Sequence, residues 1–290
     1  MKVAIFGSPF QSDKLNQIWS VFDALRQLDA EILVDRTFWD FLRSTLINVP
    51  EIQGVIENGA FSADFALSIG GDGTFLRTAH RIGSSSIPIL GINTGRLGFL
   101  ADVDSIEVES VMTDLYKQNF RVDDFDLLRL SVNGSYPAEY PCALNEIAIL
   151  KRDSSSMINI HVWVNGEYLN GYQADGLVIA TPAGSTAYAL SVGGPIVMPS
   201  SRNLLIAPVA PHNLTARPLI LDDSSVIDIE VESRSQNFLV AIDGISVTMS
   251  CIDKIQITKA DYTIKSIKRQ GNTFIHTLRK KLMWGIDPRG

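Results

Sequence analysis

The chain has little of several things that would announce a function. Only two of its 290 residues are cysteine, Cys142 and Cys251, far apart and without metal-ligand spacing. That excludes a disulfide-stapled secreted fold and points to thiols packed as small apolar groups in a reducing cytosol. The four histidines, His80, His161, His212 and His276, lack ligand spacing with one another, so no protein metal cage is expected. Basic residues are outnumbered, 25 Lys and Arg against 32 Asp and Glu, for a net charge of −7 and a pI of about 5.1. A default nucleic-acid or membrane-surface binder is thereby excluded, and an anionic ligand has to be met by local donors and a cation. No apolar run is long enough to span a membrane, and Met1-Lys2-Val3-Ala4-Ile5-Phe6 reads as a short strand, not a signal peptide. There is no Gly-x4-Gly-Lys-Ser/Thr loop and no Gly-x-Gly-x-x-Gly after the first strand, which sets aside P-loop kinases and ordinary Rossmann dehydrogenases. Internal repeats and low-complexity segments are absent too; Ser84–Ser86 and Ser154–Ser156 read as loops.

What is present is an ordinary globular balance, 46% hydrophobic and 20% charged, in a chain long enough for one large domain or two ordinary ones. Residues 1–120 alternate strand and helix signals. Lys2–Phe6, Glu31–Val34, Phe65–Ile69 and Ile87–Ile92 read as strands. Gln11–Leu28 carries a helical stripe of Leu15, Ile18, Trp19, Phe22 and Leu25; Trp39–Leu46 and Ser105–Gln118 are further helices. This alternation predicts an α/β domain with a parallel sheet flanked by helices. From 121 to 270 the pattern changes. Asn133-Gly134 and Asn165-Gly166 are hairpin-turn signals, and Ser225–Glu232 and Lys254–Lys259 alternate apolar with polar. An all-β domain of antiparallel strands, sandwich-like, is expected there. Thr273–Met283 reads as a helix, so 271–290 is expected to be a helical tail returning to pack on the first domain.

The chemistry concentrates in Ser68-Ile69-Gly70-Gly71-Asp72-Gly73-Thr74, between the strand Phe65–Ile69 and a helix-like run from Phe75. A strand, a glycine-rich turn and a helix start make a phosphate cradle: Gly70, Gly71, Gly73 and Thr74 let the backbone approach an anion and aim helix N–H groups at it. Asp72 inside such a loop repels bare phosphate. It needs a hydroxyl or Mg²⁺ to hold, and both occur in phosphoryl transfer to an alcohol. A second loop, Asp175 through Tyr188, follows the apolar run Leu177–Ala180 and is dense in small residues and hydroxyls, which suits a diphosphate or a ribose. Between them lies Asn145-Glu146 in an apolar stretch. In a strand these two would face opposite ways, so at least one is buried and needs a polar partner such as a ribose diol.

Together these elements resemble the NAD kinases. The resemblance rests on Gly70–Thr74, Gly91–Leu100, Asn145-Glu146, Thr181-Pro182-Ala183-Gly184-Ser185-Thr186-Ala187-Tyr188 with Ser191–Pro195 behind it, and Pro211–Pro218. It runs from about Phe65 to Gly244, with a similar tail at Lys281–Trp284. Gly-Gly-Asp-Gly is shared with 6-phosphofructokinases and diacylglycerol kinases; the Thr-Pro-Ala-Gly-Ser-Thr-Ala-Tyr segment is the specific part. The resemblance implies transfer of the γ-phosphoryl group of ATP to the 2′-hydroxyl of the adenosine ribose of NAD, giving NADP, at a site at the domain interface.

Residue by residue, it implies Asp72 as catalytic group, orienting the hydroxyl and accepting its proton late, or else holding Mg²⁺. Gly70, Gly71, Gly73 and Thr74 would hold the triphosphate. Asp72, Gly73, Phe99, Asn145, Glu146, Asp175, Ala183, Thr186, Ala187, Tyr188 and Ser191 would contact NAD, with Asp175 at the nicotinamide end and Tyr188 against adenine. Mg²⁺ or another divalent cation would arrive with ATP. A cytoplasmic homodimer or homotetramer with no nucleic-acid or membrane partner is implied. Ala183 stands where many members have Ser or Thr, and Gln173 where NAD-restricted members have Arg, so NADH is not excluded as acceptor. Two other classes remain: a sugar-phosphate or lipid kinase sharing only Gly-Gly-Asp-Gly, against which the second loop and the lack of a basic amphipathic helix count, and a dinucleotide sensor without turnover.

Overall fold

The structure, a computed structural model, describes residues 1–46, 48–57, 59–95, 98–137, 141–153 and 156–283. Arg96 and Leu97 of the Gly91–Leu100 segment, Ser154 and Ser155 of the serine loop, and Trp284 of the tail lie outside the described residues.

The chain divides into two compact units, one made of Met1–Asp124 with Ile264–Gly290 and the other of Phe125–Thr263. The first is α/β, as the alternation predicts. Its eight-stranded sheet runs in the order Gly54–Ile56, Glu31–Asp35, Lys2–Gly7, Phe65–Ile69, Ile89–Asn93, Ile264–Arg269 and Phe120–Phe125, with Val103–Asp104 also on Ile89–Asn93. The pairings from Gly54–Ile56 through Ile89–Asn93, and of Ile264–Arg269 on Ile89–Asn93, are parallel. Helices cover the sheet through narrow apolar stripes. Leu15–Gln27 buries Ile18, Val21, Phe22, Ala24 and Leu25, and Val108–Tyr116 buries Val108, Val111, Met112 and Leu115. These side chains join Val3, Ile5, Leu67, Ile69, Leu90 and Ile92 in one core. Ile264–Arg269 reads as part of the β domain when periodicity alone is followed, yet it lies in the parallel sheet; the helix Phe274–Leu282 follows it in the same unit.

This connectivity has a functional consequence. The chain leaves Lys2–Gly7 toward Glu31–Asp35 on one side, then returns to add Phe65–Ile69 on the other. The order reverses at that point, and in open α/β sheets ligands bind outside the carboxyl ends of the strands where it does. Phe65–Ile69 ends there and runs straight into Gly70.

The second unit is all-β. One six-stranded antiparallel sheet is ordered Leu219–Asp222, Asn203–Val209, Gly176–Ala180, Glu146–Lys151, Asn237–Ile242, Ile245–Ser250. The other is ordered Glu167–Ala174, Ile158–Val164, Ile227–Glu232, Ile255–Lys259, Leu128–Val132, Cys142–Ala143. Alternate residues of both meet in a common core, including Ile147, Ile149, Leu177, Ile179 and Phe238 from one and Ile158, Ile160, Val162, Ile229 and Ile257 from the other. That is sandwich packing. Asn133-Gly134 and Asn165-Gly166 adopt the left-handed φ values, 51° and 75°, 52° and 81°, that tight hairpins demand. Gly176–Ala180 is buried on both faces because Val178 and Ala180 pack a separate cluster with Ala189 and Val197, from the segment that follows the strand. No helix among the described residues is long and apolar enough to cross a membrane.

Candidate active site

Gly70 leaves the strand Phe65–Ile69 with φ of 151°, and a Cβ there would sit 2.4 Å from Thr74 Oγ1, so the turn requires glycine. Gly71 is the N-cap of the helix Asp72–Ile82. A Cβ at Gly71 or Gly73 would meet nothing within 4 Å; the space in front of the helix N-terminus is open. Its first N–H groups have no i−4 acceptor, and with the dipole they favour an anion. Arg77, one turn on, donates from Nη2 to Thr74 Oγ1 at 3.2 Å and brings a guanidinium to the cradle.

Asp72 is fixed from the opposite side. The backbone N–H of Phe99 donates to Oδ2 at 2.9 Å, and those of Leu100 and Ala101 donate to Oδ1 at 3.0 Å each. Gly98 is obligatory beside this turn, because a Cβ there would lie 1.9 Å from Asp72 Oδ1. Lys281, from the helix Phe274–Leu282, places Nζ 3.3 Å from Asp72 Oδ2 and 4.6 Å from the centroid of the Phe99 ring. Phe274 of the same helix packs against Phe99 at 5.9 Å. Behind the turn, Lys268 and Asp102 form a buried ion pair at 3.0 Å, and Lys268 Nζ also donates to Leu100 O at 3.3 Å. Thus Gly70–Thr74 and Phe99 come together on the first unit. Gly98 and Lys281, inside the matching segments but given no role from the sequence, and Arg77, which no motif marked, complete the set.

On the second unit the Asn-Glu pair is held by Asp243. Its carboxylate accepts from the backbone N–H groups of Leu144, Asn145 and Glu146 at 2.8, 2.8 and 3.2 Å. Asp243 opens the hairpin turn Asp243-Gly244, with φ of 46° and 86°; an Asp-Gly between apolar runs was the available signal. The Thr181–Tyr188 segment is stitched to the same place. Thr181 N donates to Asn145 O at 2.9 Å, and Thr181 Oγ1 donates to Leu144 O at 2.6 Å and accepts from Gly184 N at 3.1 Å. Gly184 lies so close that a Cβ would be 2.0 Å from Asn145 O. Asn145 is buried and Glu146 begins the strand Glu146–Lys151. Glu146 Oε2 is buried with no hydrogen-bond partner among the described residues. Burial, and after it the nearby Asp243 carboxylate, push the Glu146 carboxyl up to about 7, against a smaller pull from a Tyr188 backbone hydrogen bond. A carboxylate held with an unused oxygen is a receptor for a hydroxyl donor.

The loop after Gly176–Ala180 is helical, a 3-10 turn Ala183–Thr186 followed by a short helix Tyr188–Ser191. Thr186 Oγ1 donates to Ala183 O at 3.2 Å and Ser191 Oγ to Tyr188 O at 2.8 Å. Ala183, Thr186, Ala187 and Tyr188 are half-buried while Ser191 is exposed. Burial raises the Tyr188 hydroxyl above its ordinary range, and the charges of Glu146 and Asp175 add to this. Asp175 stands where the chain passes from Glu167–Ala174 in one sheet to Gly176–Ala180 in the other. It is paired with Lys151 at 2.6 Å. Among the described residues no three His, Cys, Asp or Glu side chains gather as a metal cage. The Gly70–Thr74 loop offers one carboxylate and backbone N–H groups, a donor set that suits a cation carried on phosphate oxygens.

Comparison with known proteins agrees with this layout. Residues 40–120 match the family model of the ATP-NAD kinase N-terminal domain, and residues 144–269 that of its C-terminal domain. The chain is 51% identical to the NAD kinase of Bacteroides fragilis over 289 residues, covering all of both chains. It is 46% identical to that of Porphyromonas gingivalis, covering 99% of both. Among solved structures, an NAD kinase from Archaeoglobus fulgidus in complex with ATP superposes with a TM-score of 0.74 at 26% identity, over 98% of each chain. Yeast NADH kinase complexed with NADH shares the fold, with a TM-score of 0.86 at 24% identity over 99% of this chain and 89% of that one. On these matches and on the motifs that carry them, the chain belongs to the NAD kinase family.

Proposed function

We propose that this NAD kinase transfers the γ-phosphoryl group of ATP to the 2′-hydroxyl of the adenosine ribose of NAD, with Asp72 as the residue that holds that hydroxyl. The observation that carries this reading is the Asp72 carboxylate, fixed by three backbone N–H groups at the head of an open, glycine-built helix N-terminus. The cradle of Gly70, Gly71, Gly73 and Thr74 takes the phosphates, and Mg²⁺ or another divalent cation borne on them offsets their charge beside Asp72. In the transfer, the ribose 2′-oxygen bonds to the γ-phosphorus while the bond from that phosphorus to the β,γ-bridging oxygen breaks. ADP leaves with the bond's electron pair. In a loose transition state the hydroxyl proton departs late, so the positioning of the accepting carboxylate matters more than its basicity.

Asn145 and Glu146 read the dinucleotide's hydroxyls. The unpartnered Glu146 oxygen supports this role, since an ionised carboxylate accepts two ribose O–H bonds well. Phe99, Asp175, Ala183, Thr186, Ala187, Tyr188 and Ser191 make up the remaining NAD contacts in this reading. A cytoplasmic homodimer or homotetramer belongs to it as well. The exposed Leu219, Ile220, Ile245 and Val247, on the two edge strands of one sheet, support self-association through the second unit.

The test is a coupled assay of NADP formation from NAD, ATP and Mg²⁺. Asp72→Asn is expected to lower kcat by about 100-fold or more while NAD still binds. Turnover that survives the substitution would return Asp72 to a structural role, and a silent wild type would favour a sensor.

A further inference from the structure

A carboxylate has about four lone-pair sites, and at Asp72 all four are taken. Leu100 and Ala101 N–H groups fill Oδ1; Phe99 N–H and the Lys281 ammonium fill Oδ2. The three backbone donors belong to one fixed turn. Only Lys281 stands on a long side chain able to leave. A ribose hydroxyl reaching Asp72 therefore has to take the place of the ammonium. Lys281 is not loosely placed: the Phe99 ring lies 4.6 Å beneath Nζ, and a cation over an aromatic face is held with direction. It stands in the last turn of its helix, where the dipole favours a cation. The chain as a whole is acidic at −7, so the cradle gets no help from global charge.

We propose that Lys281 is a catalytic residue of the phosphoryl-transfer site. In the free protein it neutralises Asp72 and keeps the cradle receptive to phosphate. When the acceptor hydroxyl replaces it on Oδ2, the ammonium turns to the transferring phosphoryl group and stabilises the charge carried there and on the departing ADP oxygen. The hydroxyl proton still goes to Asp72. This rests on the reading of Asp72 given above.

The role requires a split that a mere helix anchor would not give. In the full-length protein, Lys281→Ala should lower kcat by roughly 100-fold, the usual cost of one preorganised charge donor. KM for NAD should stay unchanged or fall, because the hydroxyl no longer competes with the ammonium. Lys281→Arg should recover part of the rate, and added ethylammonium should restore turnover of Lys281→Ala saturably. Full turnover in Lys281→Ala overturns the proposal. So does a loss that neither arginine nor ethylammonium relieves, since that marks a packing role. Asp72→Asn measured alongside separates the two readings. If it collapses while Lys281→Ala is unharmed, only the role of Lys281 falls; if it turns over normally, both fall.

Discussion

At the scale of single residues, Glu146 carries the sharpest consequence. Its carboxyl in the folded chain sits near 7, above an ordinary value near 4.5, because it is buried and close to Asp243. The folded chain thus holds this proton more tightly than the unfolded chain does. The stability that the protonated form confers is complete below the unfolded value and is lost as pH rises through about 7. Ligand binding runs the other way. In the role proposed for Glu146 a ribose diol donates to the ionised form, so NAD affinity should rise with pH across the same window and level off above it, with proton release on binding. Glu146→Gln should bind NAD more weakly at high pH and show a flat profile from about pH 5.5 to about 8. Calorimetric titration in buffers of differing ionisation enthalpy reads both effects. A wild-type affinity independent of pH would mean that Glu146 does not receive the diol.

Elements explain why some of this was legible in the sequence and some was not. The cradle was legible because everything that makes it is local: a strand, a turn needing glycine at Gly70, and a helix start within a few residues. The stripes of Leu15–Gln27 and Val108–Tyr116 were legible for the same reason, as were the Asn-Gly hairpins. The supports of the site lie far away along the chain. Asp243 meets Leu144 across 99 positions and Lys281 meets Asp72 across 209, and no periodicity signals such a contact. Ile264–Arg269 was misread as part of the β domain because a strand does not advertise which sheet it joins. Lys268 on that strand makes the point physically. It lies buried against Asp102, whose carboxyl burial drives upward and the Lys268 charge draws back. Lys268→Met leaves a buried carboxyl with no ammonium beside it, and should destabilise the first unit by about 3–5 kcal/mol. Adding Asp102→Leu to that variant should recover much of the loss. Urea unfolding midpoints measure both, and an unchanged midpoint in Lys268→Met would show the pair to be energetically idle.

On the scale of the whole molecule, the order of units along the chain makes a prediction about folding. The first unit is discontinuous, assembled from Met1–Asp124 and the segment from Ile264 onward, whereas Phe125–Thr263 is one uninterrupted stretch with its own two-sheet core. A piece comprising residues 125–263 keeps every strand of both six-stranded sheets and should fold and melt cooperatively by itself. A chain ending at Thr263 should not be whole. It lacks Ile264–Arg269, which sits inside the eight-stranded sheet between Ile89–Asn93 and Phe120–Phe125. Its loss bares one side of Ile89–Asn93 and leaves Phe120–Phe125 with no partner strand in that sheet. It also removes Lys268 from Asp102 and Lys281 from Asp72. Circular dichroism melts of the three chains test this directly. The truncated chain should aggregate, or show only the transition of the 125–263 piece with the α-helical signal largely gone. If it melts like the full-length chain, the terminal segment is an appendage, and Lys281 has no structural claim on the phosphate loop.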